Sequence, residues 1–262
     1  MTSVGTGYDI SSSTYSTEGR IYQVEYATQA ANSFGTSIGM KVNNGVILGS
    51  VSRKISKLLK PASNKCISHV DKHIGIATTG WTADAREILN IARREAENYR
   101  SSYKIPPPTT QVVQRLGFYI HAHTLYSSVR PFGVNSIIGG KDDNGYHLHM
   151  IEPSGEHWGY RGCVVGKGQK EVKTELERID LDNIDPTLAV NRMVKMLLKA
   201  HRDSEKEEPY HMEISWVTEE TNGYHERVPQ NIIDDAINQF ENEGHEGEGE
   251  GADEAQETME VE

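Results

Sequence analysis

The sequence has little cysteine, no excess of positive charge and no long apolar run. Its two cysteines, Cys66 and Cys163, are too few for a disulfide framework, which indicates a reducing compartment. No stretch approaches the roughly 18 consecutive apolar residues that a membrane-spanning helix needs. Residues 1–14 have neither the basic region nor the apolar run of a secretory signal. We therefore expect a soluble intracellular protein.

Negative charge is concentrated at the C-terminal end of the chain. The formal net charge is −11, and residues 241–262 hold ten Asp or Glu and no Lys or Arg. The rest of the chain is therefore close to neutral, so no basic surface indicates binding to nucleic acid or to an anionic membrane. The tail at 241–262 is rich in Gly and Glu and repels itself, which predicts disorder.

The pattern between the two ends predicts one α+β domain over residues 14–240. Residues 1–13 are mostly Gly, Ser and Thr, which is typical of a flexible tail. Strands joined by turns precede a pair of helices, and this order then repeats. Thr109 is expected to cap the second helix of the first pair, which extends to Tyr126. Such an order indicates two sheets covered by helices.

The first predicted helix, from about Glu18 to Ser33, has two non-polar faces. Such a helix is held either within the core of one domain or between its own domain and a partner, and periodicity alone leaves both open. One face holds Ile21, Val24, Ala27, Thr28 and Ala31, and the nearly opposite face holds Tyr22, Tyr26 and Ala30.

Short motifs around this helix and beyond it occur in the order found in proteasome alpha subunits. They extend from about residue 5 to residue 240 and include Tyr8-Asp9, Thr14 to Ile21, Gln23 to Ala27, Gly35 to Gly39, Asn64-Lys65, Gly80 to Arg86, Arg130 to Gly133 and Gly166 to Gly168. The chain therefore resembles this family over most of its length. Thr17 departs from the pattern, because the family usually has proline there.

The resemblance implies a four-layer α-β-β-α sandwich, the fold of N-terminal-nucleophile hydrolases, in a non-catalytic form without metal or cofactor. It implies a place in the seven-membered outer ring of the 20S proteasome core, beside other alpha and beta subunits. Regulatory particles and assembly chaperones are the further partners implied, and the cytoplasm and nucleus are the implied locations. The acidic tail resembles that of the alpha chain at the seventh ring position.

The same resemblance implies a docking pocket and a ring contact. Lys65 would pair with the C-terminal carboxylate of an activator tail, and Gly80 would leave room for the backbone of that tail. The first helix would contact the neighbouring subunits through Ile21, Tyr22, Val24 and Tyr26.

A gate is the third site that the resemblance implies. The N-terminal tail would lie across the axial pore of the ring in the closed state. Tyr8, Asp9, Thr17 and Tyr26 would hold the tail in its open arrangement. Thr17 lacks the fixed φ of proline, which puts a rigid reverse turn at this point in doubt.

Thr36 suggests an alternative function, because related beta subunits are cut after such a glycine to free a catalytic threonine. That activity needs a lysine, which Lys65 would match, and an aspartate on the second strand, where Val51 stands. Cleavage before Thr36 would also remove the first helix, so we favour the non-catalytic interpretation. A free-standing scaffold with an acidic interaction tail is the other alternative, and it would remain monomeric.

The histidines do not predict a metal site. His121 and His123 would point away from each other on a helix, and His147 and His149 share a strand face but have no third ligand at useful spacing. We interpret all four as structural or exposed.

Overall fold

Two five-stranded antiparallel sheets form the centre of the protein. The computed structural model describes residues 7–54, 56–60, 63–205 and 208–242, so residues 1–6 of the predicted N-terminal tail and nearly all of the predicted C-terminal tail lie outside the described residues. The first sheet has the order β10-β9-β2-β1-β8. Its strands are β1 (Thr36–Val42), β2 (Gly45–Arg53), β8 (Gly162–Val165), β9 (Tyr210–Thr218) and β10 (His225–Arg227).

The second sheet has the order β3-β4-β5-β6-β7. Its strands are β3 (Ile67–Asp71), β4 (Ile74–Gly80), β5 (Val134–Asp142), β6 (Gly145–Ile151) and β7 (His157–Gly159). Both central hairpins turn at a glycine that begins the returning strand, and Gly145 has a φ of 107° that favours glycine. In both hairpins the glycine follows an asparagine, and Asn-Gly is a typical sequence of a tight hairpin turn.

Helices cover the outer face of each sheet. The helices are α1 (Tyr22–Asn32), α2 (Thr82–Tyr103), α3 (Thr109–Ala122), α4 (Gln169–Leu176), α5 (Pro186–Glu205) and a last helix at 230–242. α2 and α3 share a buried cluster with the second sheet, whereas α4, α5 and the last helix share one with the first. The expected four-layer α-β-β-α sandwich is confirmed.

The inner faces of the sheets meet in a third buried cluster. It is made of short aliphatic side chains with one cysteine: Val46, Leu48, Ile67, Ala77, Ile137, Leu148, Cys163 and Val165. A polar contact also joins the sheets, since the Ser37 hydroxyl of β1 lies 2.6 Å from that of Thr79 on β4; within the first sheet it lies 2.9 Å from the Ser50 hydroxyl. Within the described part of the chain, no helix combines the length and the apolar character needed to cross a membrane.

Several predicted boundaries were wrong. α1 begins at Tyr22 rather than at Glu18, because residues 16–20 form a separate turn. Thr109 does not cap α3: Pro108 occupies the cap position, and the carboxylate of Asp142 accepts the Thr109 N–H at 3.2 Å. α3 also ends at Ala122, four residues before Tyr126.

Candidate functional site

Helix α1 lies on the second sheet and leaves its tyrosines turned outward. It packs against β4 and β5, where Ala27 and Ala31 are buried, and Asn135 donates to the side chain of Asn32 at 2.7 Å. On the far side the rings of Tyr22 and Tyr26 stack with centroids 6.2 Å apart. Ile21, Tyr22 and Val24 are half-buried and Tyr26 is exposed.

Ala30 was predicted to lie on the second face of α1, and this was wrong. Ala30 lies close to Gly133, since a Cβ built on that glycine would be 3.8 Å from the Ala30 Cβ. Ala30 therefore faces its own domain, and Tyr22 and Tyr26 remain as the outward part of that face.

The turn before α1 forms without proline. The Gly19 N–H donates to the Ser16 carbonyl at 2.9 Å, which closes a β-turn with Thr17 at its second position. The Ser16 N–H donates to the carbonyl of Arg20 at 2.9 Å, and the Ser16 hydroxyl accepts the Arg20 N–H at 3.0 Å. With Gly19 at a φ of 76°, these bonds replace the constraint of proline, so the doubt about a reverse turn was unfounded.

An ion pair between Arg20 and Glu25 connects this turn to the helix, and it was not predicted from the sequence. Arg20 donates from Nε to Glu25 at 2.7 Å and makes a second contact to the same carboxylate through its Nη2. The Arg20 guanidinium also lies 5.1 Å from the ring centroid of Tyr22. Hydrogen bonding to Arg20 lowers the pKa of Glu25, and Glu25 stands in the first turn of α1, where the helix dipole favours a carboxylate.

The structure brings together two of the four expected gate residues. Burial, followed by the charge of the nearby Asp9, raises the pKa of the Tyr26 hydroxyl, which also forms a side-chain hydrogen bond with Asp9. Gln23 contributes as well, because its amide donates to the Asp9 carbonyl. Among the described residues, no recorded hydrogen bond or ring contact links Tyr8 or Thr17 to this pair.

Lys65 and Gly80 line one cavity of about 310 Å³. The cavity lies where β1 begins and where β2 and β4 end, beside the start of α2, and the Gly35 backbone forms part of its wall. Gly80 has a φ of 139°, and a Cβ there would lie 2.1 Å from the Gly133 carbonyl oxygen. Glycine is therefore required by the close approach of the protein's own loop, in addition to any room it leaves for a ligand.

The charge of this cavity is entirely positive. Lys65, Arg53 and Lys167 line it, and no Asp or Glu is among its described lining residues. Arg53 pairs with Glu208, and the Lys167 ammonium donates to the Ser204 carbonyl at 3.0 Å. Lys65 is exposed and has no ion pair within the described ranges, so it is the cation best placed to meet an incoming carboxylate.

Thr36 has the surroundings of a structural residue. It is 2% exposed, and its hydroxyl accepts a hydrogen bond from the Gly168 N–H at 3.3 Å. Val51 is its direct partner across the hairpin and is 1% exposed. Lys65 lines the same cavity as Thr36, but no carboxylate lies among the described lining residues to complete a catalytic set.

The four histidines considered as metal ligands have other partners. His121 lies 3.1 Å from the Ser154 carbonyl and His123 lies 3.0 Å from the Tyr119 carbonyl. The His147 ring stacks on that of His149 and lies 2.8 Å from the Asp142 carboxylate. Among the described residues, no group of three metal-binding side chains is close enough to hold an ion.

This four-layer sandwich, with two antiparallel sheets between layers of helices, defines a member of the N-terminal-nucleophile-hydrolase fold class. The family model described as "Proteasome subunit" matches residues 32–217. A second model, for the N-terminal signature of A-type proteasome subunits, matches residues 8–30. The chain belongs to the proteasome subunit family and is of the alpha type.

Curated relatives agree with this assignment. The chain is 46% identical to the probable alpha type-7 proteasome subunit of Saccharomyces cerevisiae, over 90% of this chain and 83% of that protein. It is 41% identical to the alpha type-3 proteasome subunit of Acanthamoeba castellanii, over 89% and 92% of the two chains. The type-3 protein of Dictyostelium discoideum is also 41% identical, over 90% and 95%. The chain is thus a non-catalytic member of the 20S core that assembles with other proteasome subunits.

Proposed function

We propose that this protein controls substrate access to the core and docks regulatory particles at the outer ring, in the cytoplasm and nucleus. Regulatory complexes and assembly chaperones are its proposed partners beyond the ring. The observation that carries the proposal is the positively charged cavity that Lys65 shares with Gly80.

Docking requires a cation that can exchange water for a carboxylate. Lys65 meets this requirement, because no carboxylate of the described chain pairs with it and the cavity around it is partly enclosed. A charge-assisted hydrogen bond in such a place contributes about 1.5–3 kcal/mol. The backbone of Gly35 and Gly80 in the cavity wall offers peptide groups to an extended tail.

The docking proposal is tested by changing Lys65→Ala in the assembled core. We expect binding of a tail-inserting regulator at this pocket to weaken by tenfold or more, which corresponds to about 1.4 kcal/mol or above, while the ring stays assembled. Lys65→Glu should weaken it further. The matched control is Lys72→Ala, an exposed lysine that does not line the cavity. Unchanged affinity for every tail-inserting regulator in both Lys65 variants would mean that Lys65 is only a solvated charge.

The gate proposal rests on the way in which the root of the N-terminal tail is held. Asp9 is bound from α1 by Tyr26 and Gln23, so the tail leaves the domain from the helix proposed to face the neighbouring subunits. The residues before Asp9 include two glycines and have no charged side chain, which favours movement at small cost.

Deletion of residues 2–8 tests the gate. We expect the basal peptide hydrolysis of the whole core to rise, with unchanged cleavage preferences, because the catalytic chambers are untouched. The rise should be partial, since other tails of the ring share the pore. If the truncated core assembles normally and turnover is unchanged even when the neighbouring tails are also removed, this segment is not a gate.

A further inference from the structure

A second cavity, distinct from the docking cavity, carries a cluster of cations that the assigned function does not use. Its volume is about 380 Å³, and it opens where β3, β9 and β10 meet helix α2. Four cations line it: Lys65, Arg86, Arg93 and Arg227. We call this group the basic cluster.

The only carboxylate among the described lining residues is already saturated. Glu213 is buried and accepts the backbone N–H groups of Cys66 at 2.9 Å and Ile67 at 2.8 Å. It also accepts from Arg227 at 3.1 Å, and His211 lies 3.3 Å away. These bonds connect β9 to the start of β3, so Glu213 stabilises the fold. Its charge balances only one of the four cations.

Three members of the basic cluster, Lys65, Arg86 and Arg93, have no carboxylate partner within the described part of the chain, whereas Arg227 pairs with Glu213. Arg86 makes no recorded ion pair or hydrogen bond, and Arg93 donates only from Nε to the His69 carbonyl, at 2.9 Å. The cavity therefore keeps a charge of about +3 on a chain whose net charge is −11. All four side chains of the basic cluster are exposed, so water screens their mutual repulsion in part, and a bound anion would reduce it further.

The histidines of the cavity respond to this field. Burial, and then the charges of Arg227, Arg93 and Lys65, lower the pKa of His69. His69 lies 2.8 Å from His225, Nδ1 to Nδ1, and His225 in turn lies 2.8 Å from the Ser215 hydroxyl. His69 and His225 are therefore neutral at neutral pH, and their hydrogen bonds hold both rings in the cavity wall. The positive charge available to a ligand belongs to the lysine and the arginines.

We propose that the basic cluster binds a small anion that carries a diphosphate group. Guanidinium groups match phosphate oxygens in a two-pronged geometry, and three of the four cations are arginines. Arg86 and Arg93 come from α2, whereas Arg227 comes from β10, so two separate elements supply cations to one cavity. A ligand with two linked phosphates offers oxygens to cations of both elements, and a cavity of about 380 Å³ has more room than one phosphate fills.

The site is separable from the docking cavity. The two cavities are adjacent and share Lys65, Thr78, Thr82 and Ala85, but Arg86, Arg93 and Arg227 do not line the docking cavity. An Arg86 variant therefore tests the diphosphate site and leaves the contacts proposed for an activator tail in place.

Isothermal titration of the full chain with inorganic pyrophosphate tests the proposal, with orthophosphate and ADP as comparison ligands. We expect saturable binding of pyrophosphate that is tighter than that of orthophosphate and is weakened about tenfold or more by Arg86→Ala and by Arg93→Ala. Arg94→Ala is the matched control, because this exposed arginine is next to Arg93 but does not line the cavity. Tighter binding of ADP would identify a nucleotide as the source of the diphosphate, and equal binding would identify the diphosphate alone.

Three outcomes would overturn the proposal. The first is the absence of saturable pyrophosphate binding at physiological ionic strength. The second is an equal loss of binding in the Arg94→Ala control, which would indicate attraction to general charge. The third is binding that appears only after residues 243–262 are removed, which would mean that the acidic tail occupies the basic cluster.

Discussion

Removal of the Asp84 carboxylate should weaken the attachment of the loop at 130–133, which packs against Gly80 in the wall of the docking cavity. Asp84 stands in the first turn of α2, and its side chain is 9% exposed. It accepts from Arg130 at 2.7 and 2.8 Å and from the Gly133 N–H at 3.0 Å. The Gly133 carbonyl in turn accepts from Trp81 at 3.1 Å, so one carboxylate fixes the loop at 130–133 against the helix.

The cost of Asp84→Ala follows from these contacts. The Gly133 N–H loses its partner in a buried place, which costs about 1–3 kcal/mol. The Arg130 side chain is 68% exposed and regains water, so its loss adds little, about 0–1 kcal/mol. The lost charge at the helix N-terminus adds about 0.3–1 kcal/mol. We therefore expect the free energy of unfolding to fall by about 2–4 kcal/mol.

Denaturant unfolding of the full chain measures this change. Asp84→Asn retains an acceptor for Gly133 and should cost less than Asp84→Ala. Glu87→Ala is the control, because this exposed carboxylate lies on the same helix without a recorded contact, and its effect should stay within about 0.5 kcal/mol.

The pH dependence gives a second test of the same contact. Hydrogen bonding to Arg130 lowers the pKa of Asp84. The stability that the ionised Asp84 carboxylate contributes is therefore fully present above the pKa that aspartate has in the unfolded chain, about 4. This stability is lost as the pH falls through the lower pKa of the folded state. An Asp84→Ala variant as stable as Glu87→Ala at neutral pH would refute this reasoning.

Three further predictions concern the turn and the buried histidine. Thr17→Pro should raise the free energy of unfolding by about 0.4–1 kcal/mol, because Thr17 holds a turn position that favours proline; a lower melting temperature would contradict this. Burial lowers the pKa of His225 to about 3, so the stability that its neutral ring confers should be full above pH ~6.5 and fall by up to about 1.4 kcal/mol per pH unit below it. His225→Gln should flatten that profile in acid unfolding, and an unchanged profile would exclude the histidine as its cause. Gly75→Ala should destabilise the fold by about 1–3 kcal/mol in the same assay, because its Cβ would lie 2.3 Å from the His225 ring, and a neutral effect would show that the ring can move.

The sequence predicts the long, strongly periodic elements of the fold well. α5 begins at Pro186 after Asp185, as its pattern predicts, and the hairpin of β1 and β2 turns where Asn-Gly stands. β3 and β8 were missed because they are short edge strands of four or five residues. The pairing of β2 with β9 has no local signal, since their residues are more than 150 positions apart in the chain.

The same distinction between local signals and long-range pairing applies to the candidate sites. Lys65 and Gly80 could be proposed from local motifs, and the structure places both on one cavity. The role of Glu213 could not be proposed from local motifs, because its partners Cys66 and Ile67 are about 147 residues away in the chain. The basic cluster also depends on this long-range pairing, since Arg227 reaches the arginines of α2 only after β9 and β10 have joined the sheet.

The non-catalytic role is tested most directly by the mass of this chain in purified 20S cores. Thr36 is buried, lacks a carboxylate among its described neighbours and follows the helix proposed to face the neighbouring subunits. We expect the chain in assembled cores to retain the residues before Thr36, and cores with Thr36→Ala to keep their full peptide hydrolysis. A chain that begins at Thr36, together with a loss of hydrolysis in Thr36→Ala, would show that this protein is itself a protease.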